Sequence, residues 1–187
     1  FSPLIKISSL FLEFSKSIKD KSKSYLFSPF IDFEQLREEI EAEGAELIPT
    51  AYKSLYGLNS NGLKTNMKKL ADYGYIIDPS SFLVTSPLPH AFKKNSSISV
   101  FDGCAAPGGK SLSILRFYEH FSKIDFQLND LNAGRIDLIK ENFARVLSKS
   151  KDSGKISCEF SQIDLSEEIE STKKFDLVLL DLPCTST

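Results

Sequence analysis

The sequence predicts an α/β fold: a parallel sheet covered on both faces over residues 95–187, preceded by a helical and small α+β appendage over residues 1–94. Three observations carry this. From residue 98 onward, short apolar strands alternate with amphipathic helices. A glycine-bearing loop, Cys104-Ala105-Ala106-Pro107-Gly108-Gly109-Lys110-Ser111, sits between the first strand and the first helix. Aspartates close the strands that follow, at Asp130, Asp164 and Asp181.

In the appendage, Leu4, Ile7, Phe11, Phe14 and Ile18 recur at spacings of three and four, one stripe of an amphipathic helix. Lys19 to Ser24 is a polar break, and Tyr25-Leu26-Phe27 reads as a short strand. Asp32 and Gln35 have capping-box spacing, so a helix opens there with Phe33, Leu36 and Ile40 inward and Gly44 as its C-cap. Ala45 to Ile48 reads as a strand. Gly62 to Tyr73 reads as a helix with Leu63, Met67 and Leu70 inward. Pro79, Pro87 and Pro89, with the polar run Lys93 to Ser97, mark a domain boundary.

Beyond it, strand one is Ile98–Phe101, and a helix runs from Lys110 to about Phe121, with Leu112, Leu115 and Tyr118 three apart. Strand two is Phe126–Leu128, ending at Asn129-Asp130. A helix over Ala133–Leu147 turns Ile136, Ile139, Phe143 and Val146 inward. Strand three is Ile156–Ile163 and strand four Phe175–Leu180. Right-handed crossovers place the C-terminal ends of such strands along one edge, where ligands bind.

Composition narrows the function classes. No apolar run approaches the roughly 20 residues that span a bilayer, and the first segment carries Lys6, Glu13 and Lys16, unlike a signal peptide. Cys104, Cys158 and Cys184 are too few and scattered for a disulfide framework or a zinc site, which fits a reducing, intracellular setting. Residues 1–94 carry 12 basic against 11 acidic side chains and residues 95–187 carry 11 against 14, so neither half has a strongly basic nucleic-acid signature. The chain begins with Phe1, has its only methionine at Met67 and stops soon after a strand. It reads as part of a longer chain, with strand four left as an apolar sheet edge.

The loop suits an anion and a flat ligand. Its glycines permit close approach, and the following helix start presents unpaired N–H groups. A carboxylate after strand two can accept hydrogen bonds from two ribose hydroxyls. Cys158 lies within strand three as a core residue, and Cys104 packs in the loop. His90 and His120 read as surface or packing residues.

The string Asp102-x-Cys104-Ala105-Ala106-Pro107-Gly108-Gly109-Lys110-Ser111 resembles the cofactor loop of the Sun-type (Fmu-type) RNA 5-methylcytosine methyltransferases, with Ser111 where that family has Thr. The resemblance spans roughly residues 98–187. It implies a Rossmann-like methyltransferase sheet of order 3-2-1-4-5-7-6, of which strands one to four are present. It implies that Cys104, Ala105, Ala106, Pro107, Gly108, Gly109 and Lys110 hold S-adenosyl-L-methionine. Asp130 matches the ribose acid and Asp164 the acid at the adenine end. Arg135 and Arg145 match two arginines that follow the ribose acid in that family. Asp181-Leu182-Pro183-Cys184 matches its Asp-x-Pro-Cys motif. Asp181 and the Pro183 carbonyl would read a cytosine edge, and Cys184 would assist proton removal and release. The attacking cysteine of the family lies in a later Thr-Cys motif, expected beyond Thr187, so residues 1–187 by themselves are expected to transfer no methyl group. RNA, ribosomal or transfer, is the implied partner, with no membrane and no metal. The implied location is cytoplasmic, with nucleolus or mitochondrion as alternatives.

One segment departs from that family. Its Gln-(Asp/Glu)-x-x-Ser run before strand one is replaced by Val84-Thr85-Ser86-Pro87-Leu88-Pro89. Two rival readings stand beside it. Gly109-Lys110-Ser111 with the strand ending in Asp181 resembles a phosphate-loop NTPase, but that pattern needs glycine at position 104, where Cys104 stands. A cofactor-binding RNA module without catalysis would rest its RNA contacts on residues 1–94.

Overall fold

A computed structural model describes residues 24–59, 66–167 and 173–182. The expected helix over Leu4–Ile18 lies outside the described residues. The chain divides into two compact units, 1–91 and 92–187.

In the first unit, β1 (Ser24–Phe27), α1 (Arg37–Glu41), β2 (Glu46–Pro49), β3 (Leu55–Asn59), α2 (Met67–Tyr73) and β4 (Tyr75–Ile77) follow a β-α-β-β-α-β order. The four strands form one antiparallel sheet, β2-β3-β1-β4. This is the split β-α-β arrangement. Period-2 alternation gives the sheet two faces. Leu26, opposite Tyr56 and Ile76, looks into a core with Phe33, Ile40, Leu47, Leu58 and Leu70. The other face carries Tyr25, Phe27, Leu55, Tyr75 and Ile77, and it is buried too. Phe82, from α3 (Pro79–Leu83), packs edge-on against Phe27 and Tyr52 at 5.6 and 4.9 Å.

Several sequence expectations change here. The helix expected from Asp32 begins only at Arg37, because residues 32–36 close tight i−3 bonds, Gln35 N to Asp32 O and Leu36 N to Phe33 O. Gly44 follows with φ +89°, the left-handed conformation expected of it. Met67, expected inward, is 41% exposed. It is the first residue of α2, which Asn66 caps, and the inward positions are Leu70 and Tyr73. Strands β3 and β4 carried too few residues to show a period. Gly74 lets β4 run close to β1, since a Cβ there would stand 2.6 Å from the Phe27 carbonyl oxygen. Pro79 does not merely break the chain. It starts α3 behind the Asp78 cap, where a missing N–H costs nothing, and α4 (Leu88–Ala91) precedes the boundary.

In the second unit, β5 (Ser97–Asp102), β6 (Lys123–Asn129), β7 (Ile156–Ser161) and β8 (Leu177–Leu179) are parallel, in the order β7-β6-β5-β8. In strand numbers of this sheet alone that is 3-2-1-4. The helix after the loop is shorter than expected: α5 (Gly109–Ile114) tightens into a 3-10 turn at Leu115–Phe117. The helix α6 (Ala133–Leu147) has the expected bounds and buries Ile136, Ile139, Phe143 and Val146. Phe143 meets Phe126 of β6 edge-on at 5.5 Å.

Among the described residues only one face of this sheet is covered, contrary to the sequence expectation. Ile98, Val100, Ile124, Phe126 and Leu128 are buried. The alternate positions Ser99, Asp125, Gln127, Ser157 and Glu159, with Lys123, Lys173 and Phe175, line an open groove of about 350 Å³. Its charges are paired, Lys123 with Asp125 at 2.8 Å and Lys173 with Glu159 at 2.6 Å. Asp176 accepts hydrogen bonds from the Ser99 amide and hydroxyl, which hold its carboxyl below the usual range. Cys158, expected in the core, is only partly buried, and burial still pushes its thiol up to about 12.

Candidate cofactor site at the ends of the parallel strands

The loop after β5 is held by hydrogen bonds to successive backbone groups. Gly103 N donates to Leu179 O of β8 (2.9 Å), and Ala105 N donates to Asn129 O of β6 (2.8 Å). The three carbonyls that follow are then engaged in turn. Ala105 O accepts from Gly108 N (2.6 Å), Ala106 O from Arg135 Nη2 (3.0 Å) and Pro107 O from Asn142 Nδ2 (2.8 Å). Gly108 has φ +105°, a conformation L-residues avoid, and it turns the chain into α5. The first i−4 bond of that helix is Leu112 N to Gly108 O at 2.8 Å. The loop thus leaves each of these three carbonyls hydrogen-bonded where it enters α5.

Under the loop, Asp102 is buried and accepts from Ser111 Oγ at 2.6 Å, while its other oxygen, Oδ1, has no hydrogen-bond partner. Burial raises its pKa, against the Ser111 hydroxyl and the nearby Cys104 amide. A carboxyl raised in this way holds its proton more tightly in the folded chain, so its contribution to stability is lost as pH rises through that value. Asp102→Asn should therefore be more stable than wild type at pH 7, with the difference closing as pH falls toward 4. Thermal melts across this range check it, and a difference independent of pH would contradict it.

Lys110 pairs with Asp181 across the strand ends. Asp130 is 3% exposed. Its Oδ1 accepts from Asn132 N at 3.0 Å, while Oδ2 is buried with no hydrogen bond and lies 3.6 Å from Arg135 Nη1. Asn132 also caps α6 by accepting from Arg135 N (3.1 Å). Asp164 is exposed, and its Oδ1 accepts from the Ser166 hydroxyl (2.7 Å) and amide (2.9 Å), which hold its carboxyl below the ordinary range. Pro183 and Cys184 lie outside the described residues. The Cys104 thiol is raised by burial and then by the Asp130 and Asp102 carboxylates, so it is protonated at neutral pH.

Sequence reasoning missed Asn129 and Asn142. Asn129 ties three strand ends together: Nδ2 donates to Gly103 O and Ile163 O, both at 3.0 Å, and Oδ1 accepts from Ser161 Oγ (3.0 Å) and Ile163 N (2.8 Å). A signal for Asn142 existed. It lies three residues after Ile139 on the buried stripe of α6, where a polar side chain must find a partner. Among the described residues, no cluster of three His, Cys, Asp or Glu could hold a metal, and no helix is long and apolar enough to cross a membrane.

Comparison with known proteins agrees with this geometry. The chain is 34% identical over 98 residues to a probable ribosomal RNA small subunit methyltransferase B of Coxiella burnetii, covering 52% of this chain and 22% of that one. It is 30% identical over 148 residues to the probable enzyme of the same name from Bacillus subtilis, covering 79% of this chain and 30% of that one. It therefore spans less than a third of the length of these relatives. Among solved structures, PH0851 superposes with a TM-score of 0.62 at 21% identity, covering 86% of this chain and 34% of that one. A methyltransferase homolog protein from Pyrococcus horikoshii gives 0.56 at 20% identity, covering 91% and 53%. NSun6 from the same organism, solved with SFG, gives 0.57 at 16% identity, covering 95% and 70%. These likenesses place the fold among Rossmann-like methyltransferases. The family described as 16S rRNA methyltransferase RsmB/F matches residues 90–187. With its loop, its parallel 3-2-1-4 sheet and this match over half its length, the chain belongs to the RsmB/F family of rRNA methyltransferases.

Proposed function

We propose that the protein binds S-adenosyl-L-methionine at the strand ends and serves methyl transfer to C5 of cytosine in ribosomal RNA. The observation that carries this is the buried Asp130 Oδ2 without a hydrogen bond, beside a loop whose carbonyls are already hydrogen-bonded. A buried carboxylate oxygen without a hydrogen bond is costly, and a ribose hydroxyl would supply one. Cys104, Ala105, Ala106, Pro107, Gly108, Gly109 and Lys110 form the cradle. Arg135 holds that cradle through Ala106 O and sits beside Asp130. Asp164 takes the adenine end, and Asp181, held by Lys110, stands at the edge facing the substrate base.

The bound cofactor supplies an electrophilic methyl group. Cytosine C5 is a poor nucleophile until a thiolate adds to C6, which places electron density on C5. After methylation the C5 proton leaves and the thiol is expelled, restoring the ring. We assign the attacking thiol to neither Cys104 nor Cys158, both of which are raised and protonated. Asp181 and the Pro183 carbonyl read the base edge, and Cys184 assists proton removal and release. The substrate places the protein inside the cell.

RNA contact by residues 1–94 belongs to this proposal, with one restriction. Base stacking on the four-stranded sheet, as in other α+β RNA-binding modules, is closed off because Tyr25 and Phe27 are buried, Phe27 against Phe82. Contact would use loops and edges instead.

The test is product analysis. Small-subunit ribosomal RNA incubated with the full-length protein and S-adenosylmethionine should yield 5-methylcytosine. In the same protein Cys184→Ala should leave a covalent RNA adduct. N6-methyladenine as product, or no adduct from an otherwise active protein, would overturn the cytosine assignment.

A further inference from the structure

Helix α6 grips the loop at two consecutive carbonyls, through Arg135 at Ala106 O and Asn142 at Pro107 O. The two contacts differ in kind. Arg135 is mostly exposed, whereas Asn142 is 5% exposed. Asn142 also has its amide orientation set by a second residue: Arg145 Nη2 donates to Asn142 Oδ1 at 2.5 Å. An amide rotated by half a turn would present its oxygen to the Pro107 carbonyl, placing acceptor against acceptor. Arg145 prevents that rotation, because only the oxygen can accept from a guanidinium. Arg145 is itself partly buried, and its Nε has no hydrogen-bond partner, so the residue is not a solvated surface charge. Pro107 is the residue immediately before Gly108, where the chain adopts φ +105° and enters α5. Tethering Pro107 O therefore sets where the first amides of α5 point.

From this geometry we infer that Asn142 and Arg145 form a positioning pair: Arg145 orients the Asn142 amide, and Asn142 holds the Pro107 carbonyl so that the loop keeps its ligand-ready shape. The inference rests on the cofactor reading above for its effect on binding, but the latch itself exists without the cofactor. Neither residue is among those assigned above to the cofactor. Asn142→Asp is the informative variant. It has nearly the same volume and retains an acceptor for Arg145, now as an ion pair, yet it faces the Pro107 carbonyl with an oxygen.

Two readouts on the purified chain test the pair. Hydrogen exchange without cofactor should show exchange at the amides of 104–106 and 108–110 accelerated more in Asn142→Asp than exchange in β5 and β6. Calorimetric titration with S-adenosylmethionine should show at least tenfold weaker binding. If that variant does not fold, Arg145→Gln serves, since it leaves Asn142 in place but frees its amide to turn, with faster loop exchange and about threefold weaker binding expected. Unchanged loop exchange and affinity in the folded variants would overturn the inference. So would a loss spread over the whole second unit, which a merely structural Asn would give. Faster loop exchange with no binding by the wild type would uphold the latch and sink the cofactor reading.

Discussion

Asp130→Asn should weaken S-adenosylmethionine binding at least tenfold while leaving the fold intact. The variant keeps the oxygen that accepts from Asn132 N, so the entry into α6 is preserved. What it loses is the buried Oδ2, which has no hydrogen bond within the protein. A hydrogen bond to a charged group is worth about 1.5–3 kcal/mol, and every 1.4 kcal/mol or so is a factor of ten in affinity. The amide nitrogen put in its place cannot accept from a ribose hydroxyl and would sit beside Arg135 Nη1, now 3.6 Å from the carboxylate. Asp164→Asn makes the contrast. That carboxylate is exposed and already bonded to Ser166, so its replacement should weaken binding less. Calorimetry on both variants decides the matter. Equal affinities for wild type and Asp130→Asn would remove Asp130 from the site. Binding of ATP with magnesium, without binding of S-adenosylmethionine, would revive the phosphate-loop reading.

Phe143→Ala should cost the second unit about 3–5 kcal/mol, the usual range for deleting a buried phenyl ring. Phe143 is 1% exposed, meets Phe126 edge-on, and lies 3.5 Å from where a Cβ on Gly108 would stand. The cavity would open between α6, β6 and the loop at once, so cofactor affinity should fall with stability. Phe101→Ala makes the comparison. Phe101 lies on the groove face, partly buried, with Phe175 at 5.2 Å as its aromatic partner. Its loss should cost roughly 1 kcal/mol, within the common range for single substitutions. Denaturant unfolding of both variants, followed through the second unit, measures the difference. Equal costs would contradict a core confined to one side of the sheet.

The sequence by itself determined the order of elements in residues 97–182, the bounds of α6 and the loop that joins β5 to α5. Each rests on information local in the chain: a 3.6-residue apolar period over fifteen residues, a glycine pair at a strand–helix junction, and a motif eight residues long. Asp130 was legible for the same reason, since an acid directly after a strand end is a local signal. Shorter elements were not. β3 and β4 have five and three residues, too few for alternation to separate strand from loop, and β4 depends on Gly74 passing the Phe27 carbonyl. Likewise Met67 reads as inward only while the helix is counted from Gly62; with Asn66 as its cap, Met67 is the first residue of α2. Tertiary structure alone decided which positions are buried on both faces of each sheet. It closed the first sheet under Phe82 and left Ser99, Asp125 and Gln127 of the second facing a polar groove. It also decided the partners of buried polar groups. Asn129 joins Gly103, Ser161 and Ile163, and Asn142 reaches Pro107 thirty-five residues away, because a buried amide takes whatever donor or acceptor the packing brings near, at any distance along the chain.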